Sequence, residues 1–176
     1  SVSISNVTTN DKNTVISSSL STLPVIINKA AYCNLKSGIP SNSQLISNRA
    51  GWIINVEEGV EGAPNNLIDG KTGTDVALNN KGFWFTVDLG EAKVLTGIKT
   101  NHWANAYAPR EVEILQSENG TTWKSLSSLA ISPGGTQNIT FISPITTRYL
   151  KYQIITISTN GRTDVTEFNV YEPKSE

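Results

Sequence analysis

The sequence holds one cysteine, Cys33, one histidine, His102, and no methionine. A lone cysteine rules out an internal disulfide and a cysteine zinc cluster, which leaves Cys33 as a small buried apolar residue. The chain starts at Ser1 without a methionine, so it reads as a processed protein or a piece of a longer one, and a signal peptide would not be in view. Apolar runs are only a few residues long, as in Val25, Ile26 and Ile27 beside Pro24, against the roughly 20 residues that span a bilayer. A soluble chain is expected, and a membrane partner is not. Fourteen bases and fifteen acids give a net charge of −1 with no basic stripe, so the counterion release that drives nucleic-acid binding has no source.

Small polar residues are plentiful instead. Ser (19), Thr (19) and Asn (18) make up 56 of 176 residues, a composition that favours strands and turns over helices. Of thirteen aromatic residues only Tyr32 precedes Trp52, so the core is expected in residues 49–173. Residues 1–48 read as a strand-bearing extension, or the tail of a preceding module, with β-branched pieces at Val2–Ile4, Thr14–Ile16 and Val25–Ile27. From Phe83 onward the apolar period is two. Strands are expected at 83–87, 94–100, 110–116, 137–142, 148–157 and 165–171, divided by turn signals at Gly90, Pro109, Asn119-Gly120, Pro133-Gly134-Gly135, Pro144 and Asn160-Gly161. With no helical stretch to cross over between them, such strands pair antiparallel, which points to a sandwich or jelly roll.

Catalytic patterns are missing. Glu111 and Glu113 share one face of a strand at about 7 Å, superficially an inverting glycosidase pair. Val112 and Ile114 take the buried face, however, so both glutamates belong to an open, solvated one. There is no G-x-S-x-G elbow, HExxH, P-loop or G-x-G-x-x-G. The chain does not read as an enzyme.

The stretch Asn65-Asn66-Leu67-Ile68-Asp69-Gly70-Lys71-Thr72-Gly73-Thr74 is more informative. A carboxylate, a tight reversal and a hydroxyl five residues on can turn several oxygens toward one point, as calcium requires. By itself the same pattern is also an ordinary Asp-Gly turn.

Six motifs occur in order: Trp52; Asn66 to Gly70 with Thr74; Trp84 to Gly90; Ser117 to Trp123; Arg148 to Lys151; and Thr166 to Tyr171. Together they resemble the discoidin-like, or coagulation-factor type C, domains, which include the family 32 carbohydrate-binding modules. The resemblance covers residues from about 50 to 173. It implies an all-β, eight-stranded antiparallel jelly roll that is non-catalytic and attached to a secreted enzyme or adhesin. It also implies a structural Ca2+ held by the carboxylates of Asp69 and Glu167, the carbonyls of Asn66, Lys71 and Thr166, and Thr74 through its hydroxyl and carbonyl.

The family's glycan binders use loops at the same end of the barrel, with an aromatic platform and a few polar groups. The segment 101–110 suits that role, with Asn101, His102, Trp103, Asn105, Tyr107 and Arg110 as ligand-binding candidates; Asn80, Lys81, Asn160 and Arg162 would rim the site. Galactose-binding relatives carry a histidine just before the strand that ends in Asp-Leu-Gly; here Phe83-Trp84 stands at that place, so galactose specificity does not transfer. The expectation is a module that binds a cell-surface or extracellular glycan, secreted or displayed by a bacterium. Its alternatives are a protein-binding adhesion module and an accessory domain of a secreted glycoside hydrolase. Asn6, Asn119 and Asn138 each open an N-x-Thr sequon.

Overall fold

The computed structural model describes residues 32–131 and 134–175. Its strands are β1 (Cys33–Lys36), β2 (Ser43–Leu45), β3 (Ile53–Val56), β4 (Val76–Asn79), β5 (Trp84–Asn101), β6 (Glu111–Ser117), β7 (Lys124–Ala130), β8 (Thr136–Thr156), β9 (Arg162–Val165) and β10 (Glu167–Pro173), with a 3-10 turn at Pro64–Leu67. All named pairings are antiparallel. The all-β jelly-roll expectation therefore holds. Among the described residues no helix is long and apolar enough to cross a membrane.

Two long, bent strands organise this arrangement. The runs expected separately at 83–87 and 94–100 are one strand, β5, and those at 137–142 and 148–157 are one strand, β8. The first part of β5 pairs with β3 and with Tyr149–Gln153 of β8; its last part pairs with β10 and with Thr136–Thr140 of β8. Register shifts between Asp88/Lys93 and Leu95/Gly97 make the bend, as β-bulges do. At Gly97 the backbones come so close that an added Cβ would lie 2.8 Å from the Ile139 carbonyl oxygen, so a side chain there would push the two strands apart.

Alternation sets which side chains enter the core. Phe85, Val87 and Leu89 are buried between the half-buried Trp84, Thr86 and Asp88, and Val112 and Ile114 between Glu111 and Glu113. Phe85 stacks on Tyr152 at 5.1 Å and meets the Phe168 ring edge-on at 5.0 Å, which joins β5, β8 and β10. Each aromatic pair adds about 0.5–1.5 kcal/mol beyond its buried area.

The expected domain boundary at residue 49 falls inside this sheet. β1 pairs with β8, setting Cys33 opposite Phe141, and β2 pairs with β10, setting Leu45 opposite Tyr171; Cys33 and Ile46 belong to the core. These strands are three or four residues long and carry no large aromatic, so their place in the core left little mark on the sequence. Cys33 is 1% exposed and burial pushes its thiol up to about 11, an unreactive apolar group as expected. The pieces Val2–Ile4, Thr14–Ile16 and Val25–Ile27, the Asn6 sequon and Pro133 lie outside the described residues.

At the first register shift Arg148 grips Asp88 with two bonds, Nε to Oδ1 at 2.7 Å and Nη2 to Oδ2 at 2.9 Å, and its guanidinium lies 4.9 Å from the Tyr149 ring centre. That bond to Arg148 holds the Asp88 carboxyl below the usual carboxylate range, against the opposing effect of burial. A carboxyl with a folded pKa below its unfolded value stabilises fully above the ordinary value of about 3.9, and the stabilisation is lost as pH falls through the lower folded value. Asp88→Asn is therefore expected to lower stability near neutral pH and to flatten its fall below about pH 4. Urea unfolding at a series of pH values checks this; parallel curves for the variant and the parent protein would contradict it.

Candidate functional site

Three chain segments meet at one end of the barrel: Thr74-Asp75 ahead of β4, the loop from His102 to Arg110 after β5, and β9 with the loop before it. They enclose an open cavity of about 300 Å³ lined by Asp75, Trp103, Tyr107 and Arg162. Trp103 is 56% exposed, unusual for so large an apolar ring, and Tyr107 is half-buried.

Asp164 fixes the aromatic loop. Its side chain is fully enclosed, and it lies opposite Ala77 in the β4–β9 ladder. Its backbone N–H donates to the Tyr107 carbonyl (3.2 Å), its carbonyl accepts from His102 Nδ1 (2.6 Å), and its Oδ1 accepts from the Trp103 N–H (3.2 Å). Oδ2 faces Arg162 Nη1 at 3.5 Å. These contacts hold both ends of the segment that carries the two aromatic rings.

The residues expected to bind ligand divide accordingly. Trp103, Tyr107 and Arg162 come together at the cavity. His102 does not face it: its side chain is fully enclosed, donating from Nδ1 to the Asp164 carbonyl while Nε2 pairs with Thr100 Oγ1 at 3.1 Å. Its role is to position Asp164. Arg110 donates to the carbonyls of Ala108 (2.8 Å) and Asn105 (3.3 Å) and to Thr159 Oγ1 (3.1 Å), tying the aromatic loop to the neighbouring one. Asn105 is exposed and contributes that carbonyl. Asn101 donates to Thr136 Oγ1 on β8 (3.1 Å), away from the cavity lining. Asn80 adopts a left-handed backbone (φ 58°) and donates its N–H to the Gly161 carbonyl (2.6 Å), which shapes the β4–β5 turn; Lys81 is ion-paired with Glu57. Asn160 is exposed in the turn before Arg162.

Asp75 and Glu61 complete the cavity, and sequence reasoning passed over both. Arg162 Nη2 bonds Asp75 Oδ2 at 2.8 Å and Glu61 Oε2 at 3.3 Å. Glu61 reaches this point because its backbone pairs with Ala77 and the next residue, Gly62, lies against Asp75, where a Cβ would sit 2.0 Å from the Asp75 carbonyl oxygen. Adjacency to Thr74 was the available signal for Asp75; nothing local marked Glu61 or Asp164.

The segment from Asn66 to Thr74 lies beside the same end. Asp69 Oδ1 accepts from the Lys71 N–H and Oδ2 from the Thr74 hydroxyl, both at 2.8 Å, an Asx turn closed by a threonine. Glu167, at the start of β10, accepts the Gly70 N–H through Oε2 at 3.1 Å, so the two expected carboxylate sources are brought together. Asn66 Nδ2 donates to the Asp75 carbonyl at 2.8 Å, and the Thr166 N–H donates to the Asn101 carbonyl at 2.8 Å.

Between these segments lies Arg49, a residue the sequence did not single out. Its Nη1 donates to Glu167 Oε1 (2.6 Å) and to the Ile68 carbonyl (3.1 Å), its Nη2 bonds Asn169 Oδ1, and its guanidinium lies 5.7 Å from the Trp52 ring centre. Burial raises the Glu167 carboxyl above the usual range, and Arg49 offsets only part of that.

Removing one partner of a buried ion pair leaves an uncompensated charge, which costs about 3–5 kcal/mol. Arg49→Met is expected to destabilise the fold by an amount in that range, and Arg49→Met with Glu167→Gln by clearly less. Denaturant unfolding of both variants checks the coupling; equal losses in the two would mean that Arg49 acts only through packing on Trp52.

Comparison with solved structures gives the same fold. A family 32 carbohydrate-binding module of Clostridium perfringens NanJ, solved in complex with galactose, matches 74% of this chain and 99% of its own with a TM-score of 0.64 at 20% identity. The F5/8 type C domain of a Bacteroides fragilis protein matches 77% of this chain and 100% of its own, with a TM-score of 0.64 at 19% identity. The corresponding module of AlyQ, in complex with 4,5-unsaturated mannuronic acid, matches 67% and 92% with a TM-score of 0.58 at 22% identity. No curated protein matches the chain. The model of the F5/8 type C domain matches residues 47–168, well over half of the sequence, and the chain belongs to that family.

Proposed function

We propose that this domain is a non-catalytic glycan-binding module whose ligand sits in the cavity between Trp103, Tyr107, Asp75 and Arg162. The observation that carries this reading is the exposed Trp103 ring, held by its own backbone bond to Asp164 at the rim of a cavity that is also lined by a carboxylate and its paired guanidinium. An indole face suits the apolar C–H face of a sugar, and a few fixed polar groups orient its hydroxyls. Galactose in the NanJ module and an unsaturated uronate in the AlyQ module are the ligands named for two relatives. The Asp75 carboxylate is fixed by Arg162, and the enclosed Asp164 carboxylate by the Trp103 N–H and by Arg162, which gives the cavity a preset polar wall. In this reading the domain works outside the cell, as a companion to a catalytic or adhesin module.

The loop from Asn66 to Thr74 belongs to the same proposal as a Ca2+ site. Among the described residues no cluster of three or more His, Cys, Asp or Glu side chains is present, so any metal here would rely on carbonyl and hydroxyl oxygens around two carboxylates. The donors are all oxygen, and while Arg49 pairs with Glu167, the nearby Asp69 carboxylate accepts only the Lys71 N–H and the Thr74 hydroxyl, which leaves negative charge for a cation to neutralise. Asp69 and Glu167 would hold Ca2+ with the carbonyls of Asn66, Lys71 and Thr166 and the Thr74 oxygens. The ion would brace the fold and supply no chemistry to the cavity.

Trp103→Ala is expected to weaken glycan binding at least tenfold while leaving the melting temperature within a few degrees of the parent protein. Glycan-array screening followed by calorimetric titration checks this; an unchanged affinity would remove the 102–110 loop from the site. Calcium-stripped protein is expected to melt at lower temperature and to recover when Ca2+ is restored, because a ligand bound only by the folded state adds stability. An identical melt with chelator and with Ca2+ would dispose of the metal proposal.

A further inference from the structure

The cavity at the end of the barrel has a definite charge character, set by how its one cation is used. Arg162 is surrounded by three carboxylates: Asp75 at 2.8 Å, Glu61 at 3.3 Å and Asp164 at 3.5 Å. One of these, Asp164, is fully enclosed, so its charge has no solvent to screen it. Glu61 is held in place from its other oxygen by Asn79 Nδ2 at 3.0 Å. The guanidinium is thus committed to acids of its own chain, and a ligand carboxylate or sulfate would compete with two anchored side chains and a buried one. Asp75 lines the cavity while its Oδ2 binds Arg162, so what this carboxylate offers a ligand is an acceptor. Arg110, the other cation of these loops, is taken up by the carbonyls of Asn105 and Ala108 and by Thr159.

Building on the glycan-binding reading, we infer that this site takes uncharged glycan termini, with a sugar hydroxyl donated to Asp75 while a pyranose face lies on Trp103, and that it excludes uronic, sialylated and sulfated sugars. Two physical effects act in the same direction. Like charge at the rim repels an anionic sugar, and moving its carboxylate next to Asp75 would desolvate two anions beside a guanidinium already engaged by acids of this chain. A neutral sugar meets neither cost, and the Asp75 carboxylate forms a charge-assisted bond with its hydroxyl. Asp75 and Glu61 are therefore specificity-determining residues: the first binds the ligand and keeps Arg162 occupied, and the second only keeps it occupied.

The test is a titration series at low salt, with a neutral oligosaccharide panel set against matched glycans ending in a uronate, a sialic acid or a sulfated hexose. The parent protein is expected to bind at least one neutral terminus ten times more tightly than any anionic counterpart. Glu61→Gln with Asp75→Asn frees the guanidinium at nearly constant side-chain shape. This double variant is expected to lose at least tenfold for the neutral ligand and to gain measurable affinity for an anionic one; circular dichroism and thermal melting establish that it is folded. Anionic termini that bind the parent protein as well as neutral ones, or better, would overturn the charge selection and leave the glycan-binding reading standing. A double variant that is folded and keeps the parent's preference would overturn the assignment to Asp75 and Glu61. Failure of the parent protein to bind any glycan in the panel would overturn both readings together.

Discussion

The buried carboxylate of Glu167 is the constraint around which this end of the domain is arranged. It stands at the first position of the closing strand and is 4% exposed, where an isolated charge would be costly. Its two oxygens are answered by groups far away in sequence: Arg49, just before β3, and the Gly70 amide in the loop before β4. One residue thereby pins the opening of the domain, the Asp-Gly loop and β10 to a single point. Arg49 extends the tie to Ile68 and Asn169 and rests on Trp52. That anchor adds to the 3-10 turn, the buried Leu67 and the local Asx bonds in fixing the path of the segment from Pro64 to Asp75.

The cavity depends on this anchor through a short chain of contacts. Asp75 follows Thr74, whose hydroxyl closes the Asp69 turn, and the Asp75 carbonyl is held by Asn66. Any disturbance of the 66–74 loop therefore moves the carboxylate that faces Arg162. On the other side, Asp164 fixes Trp103 and Tyr107 through main-chain bonds, with His102 as a third, enclosed support. The aromatic platform and the charged wall are thus each set by a rigid element, β9 for one and the anchored loop for the other. A binding site made of loops gains precision when scaffold residues, and not the loops alone, set its geometry.

The sequence was legible where the signal is local and periodic. Alternation from Phe83 onward gave both halves of β5 and of β8, β6 and most of β10, but not β7 or β9, and the Asp69-to-Thr74 spacing gave a turn that the threonine hydroxyl closes. What could not be read was long-range. The joining of 83–87 and 94–100 into one bent strand depends on pairing with β8, and β1 and β2 enter the sheet through partners more than a hundred residues away. His102 illustrates the limit for sites. A lone histidine in a loop dense with aromatics has the chemistry of a ligand group, and only the three-dimensional path of β9 shows a carbonyl waiting to enclose it. Asp164 and Glu61 carried no pattern at all, because their importance comes from meeting Arg162 and not from their neighbours in the chain.

These facts explain why resemblance in this family conveys fold more readily than ligand. The framework motifs that mark it, the Asp-Gly loop, the Trp84-to-Gly90 strand and the closing Thr166-Glu167, build the barrel and hold its ends together. The groups that meet a ligand are borne by short segments between them, where one residue changes the chemistry. Here Ala77 lies in β4, fully buried behind Asp75 and opposite the enclosed Asp164 across the ladder. A larger side chain at that fully buried point would overpack the sheet beside the backbone bridge to Glu61. The small residue and the acids around Arg162 are thus parts of one packing solution, and the same solution sets the sign of the charge the cavity presents.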